Sequence, residues 1–217
     1  MKHVRLLYAI IFLVFFTGCF EYEETIVFER DFSGHIDIAY IVPLKRDSSE
    51  SLIRFLPTGK DVIESKISKG ILSKQVKLQN YSFQILNEPA KSNLFARKAK
   101  VSYTVKFSDF SQMQSVILGS LFFRRKENSI RIKREFKTLP EQDENSITEG
   151  EKRIISESVR LLSEGYMSFR VEYPRFSEVY STQGLLSLGK IEYKIPLTET
   201  IDKKGGIVWD YRIKILQ

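Results

Sequence analysis

The stretch "IVFERDFSGHIDIAYIVP", residues 26–43, decides how the folded part of this chain begins. Apolar and polar side chains alternate on both sides of the segment "DFSG", residues 31–34, which is typical of two strands joined by a turn. The second run of alternation ends at Pro43. The pattern predicts a β-hairpin, and Gly34 is expected to supply the positive φ that the turn needs.

Working outward, alternation recurs along most of the chain. It predicts further strands at residues 76–86, 98–107, 121–123, 130–136, 169–173, 191–195 and 207–215. Turns are predicted at residues 126–128, within a hairpin, and at residues 203–206, between the last two strands. The 42 % share of hydrophobic residues is enough for a core and argues against disorder.

Helical spacing is confined to four segments. Short helices are predicted at residues 51–56, 61–70 and 111–118. A longer one is predicted to begin at the capping box "TEGE", residues 148–151, and to reach Tyr166. The expected fold class is therefore α+β, with a mostly antiparallel, strongly curved sheet and two or three helices packed on it. Residues 19–217 are predicted to form a single envelope domain, and the polar segment 140–150 is the possible boundary if there are two.

The N-terminus has the order of an export signal. A positively charged segment, residues 1–5, precedes eleven apolar residues at positions 6–16, and small residues follow at Thr17 and Gly18. Eleven apolar residues are too few for a spanning helix, which needs about 20. Residues 1–18 are therefore predicted to be a signal peptide that is cleaved after Gly18.

The single cysteine of the chain, Cys19, stands where the apolar run ends. The order Thr17-Gly18-Cys19 resembles the lipobox of bacterial lipoproteins. That resemblance implies acylation of the Cys19 thiol, with palmitate-type chains, and cleavage between Gly18 and Cys19. The alternatives are an incidental thiol beside a plain signal peptide and an uncleaved anchor. Because Phe20, and not Asp, follows the cysteine, the outer membrane is expected rather than the inner one.

A second resemblance rests on the layout of the mature chain. "DFSGHIDIAY" follows the cysteine closely, and the chain ends with "FRVEYPRFSEVYSTQG", "LGKIEYKIPL" and "GGIVWDYRIKI". This arrangement resembles bacterial lipoproteins with an LppM-type domain. The resemblance implies a membrane-tethered α+β domain with lipid or glycolipid contact and without a catalytic motif. The C-terminal membrane helix of that family has no counterpart here, because Asp210, Arg212 and Lys214 interrupt the last apolar stretch.

The residue types that usually perform catalysis are scarce. One Cys permits no intramolecular disulfide and no Cys-based metal cluster, and only two His are present. His35 is expected to be structural or solvent-exposed. The net charge of +7 does not identify a nucleic-acid binder. An enzyme is therefore the least favoured class, and neither a cofactor nor a nucleic-acid partner is predicted.

One run of basic residues is the candidate binding surface. Seven lie within fourteen positions: Arg124, Arg125, Lys126, Arg131, Lys133, Arg134 and Lys137. The run is predicted to contact an anionic surface, such as phospholipid headgroups, a cell-wall polymer or a partner protein. The alternative is an ordinary solvated hairpin face.

The sequence is compatible with two functions. The first is a membrane-anchored, non-catalytic binding or assembly module of the cell envelope, with a protein, polymer or lipid partner. The second is an amphiphile-binding lipoprotein, in which four aromatic residues would line an apolar pocket: Phe122, Phe123, Tyr173 and Trp209. An apolar interior cavity of several hundred Å³ would favour the second function, and a filled core would favour the first.

Overall fold

The computed structural model describes residues 20–45, 47–53, 55–69, 78–87, 97–136, 165–202 and 206–216. Within these ranges it contains eleven strands in two sheets, two α-helices and one 3₁₀ helix. The predicted α+β class, mostly antiparallel, is confirmed. The strands are divided between two sheets.

The larger sheet has seven strands: β1 (Glu21–Phe28), β2 (Gly34–Pro43), β3 (Gln79–Asn87), β4 (Arg97–Phe107), β7 (Tyr166–Glu172), β9 (Leu185–Ser187) and β10 (Lys190–Pro196). Their order across the sheet is β3-β4-β2-β1-β7-β10-β9. The β1–β7 pair is parallel, and the other pairs are antiparallel. Strand β1 therefore lies in the middle of this sheet.

The smaller sheet has four strands: β5 (Ser120–Lys126), β6 (Ser129–Phe136), β8 (Ser177–Ser181) and β11 (Ile207–Ile215). Their order is β5-β6-β11-β8, and every pair is antiparallel. The helices are α1 (Lys60–Ser68), the 3₁₀ helix Phe110–Ser115 and α2 (Leu197–Asp202).

The hairpin predicted from residues 26–43 is confirmed as β1–β2, in which Phe28 is opposite Gly34. The role predicted for Gly34 is wrong, because the positive φ of this turn belongs to Phe32, at 62°. Gly34 is needed for a different reason. A Cβ at this position would lie 1.8 Å from the carbonyl oxygen of Val27, so a side chain would push the two strands apart.

Several local predictions are confirmed and others are wrong. The hairpin with its tip at residues 126–128 is β5–β6, and the helix predicted at 61–70 is α1. The described residues of segment 51–56 are not helical, since Ser51 forms an isolated bridge with Leu44. The last two strands, β10 and β11, belong to different sheets and do not pair. The sequence reading missed β8 and β9.

Several predictions fall partly or wholly outside the described residues. The loop at residues 140–150 lies wholly outside them, and so does most of the turn at residues 203–206. Of the helix from 148 to Tyr166, only Gly165 and Tyr166 are described, and Tyr166 is the first residue of β7.

The core lies between the inward faces of the two sheets. Rings from both sheets meet there, with centroids 4.9 Å apart for Phe136 and Phe169 and 6.0 Å apart for Phe169 and Trp209. Phe110, from the 3₁₀ helix, packs against Phe28 of β1 at 5.1 Å. Burial of each such side chain stabilises the fold by about 1.5–3 kcal/mol, so this aromatic layer holds the sheets together.

Candidate functional site

Arg134 lies inside the core and not on the surface. Strand β6 alternates, so Ile130, Ile132, Arg134 and Phe136 share its buried face. Arg134 Nη1 donates to Glu24 Oε1 at 2.6 Å, and Nη2 donates to Glu24 Oε2 at 3.2 Å. Both side chains are 0 % exposed, so the pair joins the two sheets away from solvent. The prediction that Arg134 belongs to a surface patch is wrong, because its position in the pleat faces inward.

The surroundings of this pair account for its charged state. Burial is the largest single influence on Arg134 and acts against its charged form, but the Glu24 carboxylate, together with Tyr211 and Tyr22, raises the pKa of the guanidinium overall. The Tyr22 hydroxyl donates to Glu24 Oε2 at 2.9 Å. Burial, followed by the Glu24 charge, raises the pKa of Tyr22 well above its usual value. Two buried polar atoms of this region, Arg134 Nε and Tyr211 Oη, have no hydrogen-bond partner among the described residues.

The other residues of the basic run divide into paired and unpaired ones. Arg131 contacts Asp210 at 2.5 Å, and Lys133 contacts Glu135 at 2.6 Å, on the outer face of the smaller sheet. Lys137 lies outside the described residues. Three residues are exposed and have no ion pair with a described carboxylate: Arg124, Arg125 and Lys126. The run is therefore not one continuous surface in the structure.

Arg125 lines a cleft that the run of basic residues alone did not indicate. At one end of both sheets lie four turns and the end of β11, which together we call the loop end: residues 29–33, 127–128, 173–176, 188–189 and 215–216. An open cleft of about 1090 Å³ lies here. Its lining combines three arginines, one carboxylate, one amide and four apolar residues: Arg30, Arg125, Arg175, Glu127, Asn128, Phe32, Phe176, Ile215 and Leu216.

The three cleft arginines are exposed, and none forms an ion pair with a described carboxylate. The guanidinium carbon of Arg125 lies 5.3 Å from the centre of the Phe32 ring, which fixes the direction of this side chain. Nearby, Asp31 accepts hydrogen bonds from the backbone and hydroxyl of Ser33, which lower the pKa of its carboxyl. With one carboxylate among its lining residues, the cleft has a positive excess that suits an anionic ligand.

Backbone strain is concentrated at the same cleft. Phe32, Glu127 and Phe176 have φ values of 62°, 45° and 64°. A bulky residue with positive φ is uncommon, and it costs about 1–2 kcal/mol relative to an ordinary conformation. Such strain tends to accumulate where a site must hold a particular shape. The two phenylalanines are therefore a second observation that favours a functional role for the cleft.

Exposed apolar side chains lie at or near the same end. Leu188, in the turn between β9 and β10, is 96 % exposed, and Phe176 and Leu185 are each 76 % exposed. These are the three highest values for large apolar residues in the described ranges. The Tyr173 hydroxyl donates to the Ser187 carbonyl at 2.9 Å and so connects the Leu188 turn with the segment before Phe176.

The opposite end of β1 is where the predicted lipid attachment would lie. Gly18 and Cys19 are outside the described residues, whereas Phe20 is buried and β1 begins at Glu21. Burial, followed by the Glu23 charge, raises the pKa of Glu21, and three lysines partly oppose this shift: Lys100, Lys194 and Lys98. Eight residues of β1 span about 26 Å, so this end, which we call the anchor end, is well separated from the loop end.

The four aromatic residues considered as a pocket lining do not share one cavity. Trp209 is fully buried in the aromatic layer, and Phe122 is 56 % exposed on the outer face of β5. Phe123 and Tyr173 are half-buried at the edges of the core. His35 lies 3.5 Å from Asp37 and is partly exposed. Within the described ranges, no three His, Cys, Asp or Glu side chains are grouped as metal ligands would be.

Only part of this site had a signal in the sequence. Arg134 and Glu24 occupy positions of the same parity as buried neighbours such as Ile132 and Ile26, so alternation was a signal for both to face inward, although Arg134 was predicted to lie on the surface. Arg30, Arg175 and Leu188 are isolated residues in separate turns, and no spacing rule brings them together. The described helices include none that is long and apolar enough to cross a bilayer.

Comparison with known proteins gives a family and two weak structural likenesses. The sequence model of a family described as LIC11874-like matches residues 14–217, a range that includes Cys19. No curated protein matches this chain.

Among solved structures, the folded domain of LppM from Mycobacterium tuberculosis is similar over 93 % of this chain and 92 % of that domain, with 11 % identity and a TM-score of 0.44. An aminopeptidase N family protein from Idiomarina loihiensis is similar over 90 % of this chain and 29 % of that protein, with 12 % identity and a TM-score of 0.31.

Proposed function

The chain belongs to the LIC11874-like family, and on this premise we propose that it is a lipid-anchored, non-catalytic binding or assembly module of the bacterial cell envelope. The tether is a diacylglycerol on Cys19, in the outer membrane rather than the inner one. The binding surface is the arginine cleft at the loop end. Its ligand carries negative charge, and candidate partners are an envelope protein, a polymer or a lipid.

One observation carries the proposal, namely that the cleft lies at the opposite end of β1 from Phe20, the residue that follows Cys19 in the sequence. Only Phe20 separates the cysteine from β1, and β1 leads directly to the β1–β2 turn that contributes Arg30 and Phe32 to the cleft. A lipid on Cys19 would hold the anchor end against its bilayer. The cleft would then be presented away from that bilayer, where a ligand can reach it.

The proposal that the protein is non-catalytic rests on the scarcity of residue types that usually perform catalysis. One Cys and two His in 217 residues leave few groups for nucleophilic or general acid–base work at neutral pH. Between the sheets, Phe28 packs on Phe110, and Phe169 packs on Phe136 and Trp209. This aromatic packing supports a binding module, which uses its surface, over a carrier that encloses an amphiphile.

The tether is tested by intact mass analysis of the protein purified from native membranes. We expect a chain that begins at Cys19 and carries the added mass of a diacylglycerol. Replacement Cys19→Ala should abolish that modification and leave residues 1–18 attached. A native protein with a free thiol at Cys19, or one that still contains residues 1–18, would contradict the proposal.

A further inference from the structure

We propose that the loop end docks on an anionic phospholipid bilayer other than the one that holds the tether, so that the protein bridges two membrane surfaces. This inference rests on the proposed function and names the partner of the same cleft.

The first step is the combination of charge and exposed apolar surface at the loop end. Arg30, Arg125 and Arg175 form no ion pair with a described carboxylate, and guanidinium groups match the geometry of phosphate oxygens. Three carboxylates also lie at the loop end, namely Glu29, Glu127 and Asp31, and Asp31 is close enough to feel the charge of Arg125. Leu188 is 96 % exposed and Phe176 is 76 % exposed, and they lie in two different turns. An anionic bilayer provides phosphates for the arginines and, below them, an apolar region for the two side chains.

The second step concerns the form of the apolar surface. Hot spots between proteins are usually clustered and fit into matching pockets. Here Leu188 and Phe176 project from two different turns, Leu185 and Leu186 are exposed on the edge strand β9, and Gly189, with φ of 80°, allows the tight turn that carries Leu188. A fluid bilayer accepts projecting side chains without a complementary shape. A strained φ of 64° at Phe176 keeps its ring at the rim of the cleft, where such contact would be made.

The third step places the docking surface away from the tethering membrane. Because β1 is the fourth of seven strands, the chain leaves the body from the middle of the anchor end. One broad face of the larger sheet is covered by the smaller sheet, and its other face mixes acidic and basic side chains, for example Glu23 and Asp37 with Lys100 and Lys194. On the outer face of the smaller sheet, Arg131 and Lys133 are paired with carboxylates, whereas Arg124 is not paired with a described one. The exit of the chain from the middle of the anchor end, with the cleft at the other end of β1, favours an upright body over one that lies flat.

Vesicle capture by the full lipidated chain tests the inference. The protein is reconstituted in neutral phosphatidylcholine vesicles and mixed with fluorescent acceptor vesicles, which contain either phosphatidylcholine alone or a mixture with phosphatidylglycerol. Co-sedimentation should capture the anionic acceptors only, and capture should weaken when the salt concentration is raised.

Two variants of the loop end separate the contributions of charge and apolar contact. Arg30→Ser with Arg175→Ser should weaken capture by about fivefold for each arginine lost. Arg125 is kept because it packs on Phe32. Leu188→Ser should weaken capture by about tenfold through lost apolar insertion. Matched controls are Arg124→Ser, exposed outside the cleft, and Leu52→Ser, 46 % exposed near the anchor end, and both should capture normally.

Calorimetry of the detergent-solubilised full chain with soluble polyphosphate separates the possible failures. Binding of polyphosphate without capture of anionic vesicles would overturn the bilayer inference but leave a module for anionic ligands. Absence of both would overturn the inference and the proposed role of the cleft. Equal capture of neutral and anionic acceptors, or normal capture by the loop-end variants, would also overturn the inference.

Discussion

Arg134 and Arg125 lie nine positions apart on one hairpin, yet they occupy opposite environments. Arg134 is fully buried and donates to Glu24, whereas Arg125 is exposed at the cleft and has no described acidic partner within ion-pair distance. Both residues lie on the same face of the hairpin, since Arg125 is opposite Ile130 and Arg134 is opposite Leu121. Arg125 is exposed because it lies near the end of the edge strand β5, where the core gives way to the open cleft. The comparison teaches that a run of basic residues in a sequence is not a surface until the ends of the strands, as well as their alternation, have divided it.

The two arginines should therefore differ in what their removal costs. Arg134→Met leaves the Glu24 carboxylate buried without its partner, which is expected to lower the free energy of unfolding by about 3–5 kcal/mol. The matched control is Arg131→Met, which breaks an exposed pair worth about 0–1 kcal/mol. Urea denaturation measures both. A loss below about 1 kcal/mol for Arg134→Met would show that the buried pair is not the element that joins the sheets.

Replacing both charges of the buried pair sharpens the same contrast. Glu24→Leu combined with Arg134→Met should regain about 2 kcal/mol relative to Arg134→Met alone, because no unpaired charge is left in the core. Recovery should be incomplete, since the Tyr22 hydroxyl loses its acceptor. Denaturation of the single and double variants forms a complete cycle. A double variant no more stable than the single one would contradict this account.

At the loop end the expected effect on stability has the opposite sign. Phe176→Asn should raise the free energy of unfolding by about 1 kcal/mol, because asparagine tolerates the positive φ that phenylalanine adopts under strain. Little packing is lost, since Phe176 is 76 % exposed. Thermal denaturation measures the gain. The control Phe122→Asn lies within strand β5 and should not stabilise. Destabilisation by Phe176→Asn would refute the assignment of strain.

The smallest effect is expected at Glu21, which is neither fully buried nor free in solvent. Burial raises the pKa of Glu21, so the folded chain binds this proton more tightly than the unfolded chain does. The ionised group therefore costs stability at neutral pH, and the cost disappears as the pH falls below the ordinary carboxyl pKa of 4.5.

Glu21→Gln should accordingly be more stable than the native protein at pH 7, by less than about 0.5 kcal/mol, and equal to it near pH 4. Denaturation at both pH values measures the difference. Glu29→Gln, on the exposed β1–β2 turn, serves as the control and should show no such change. A gain for Glu21→Gln that persists at pH 4 would have a cause other than ionisation.

The sequence predicted the parts of the fold that depend on local pattern. The hairpins β1–β2 and β5–β6 follow from alternation and turn residues, and α1 follows from helical spacing. Pairing between distant segments had no local signal. The parallel contact of β1 with β7 joins residues about 145 positions apart, and the separation of β10 from β11 depends on the whole core.

The candidate site was predicted less well, for the same reason. Cys19 is carried by contiguous sequence and remains a prediction of the N-terminal pattern. The cleft is assembled from three turns, from Arg125 of β5 and from the end of β11, and each contributes residues that are unremarkable in isolation. Three conformations with positive φ, at Phe32, Glu127 and Phe176, arise from packing constraints that propensity rules do not contain.

The central position of β1 determines how the body would respond to a pulling force on its N-terminus. Force applied along this strand loads eight residue pairs with β2 and seven with β7 at the same time. The two ladders would have to slide together, because neither can open one hydrogen bond after another as a peeled edge strand does. The proposed attachment point thus coincides with the strand that is mechanically hardest to extract.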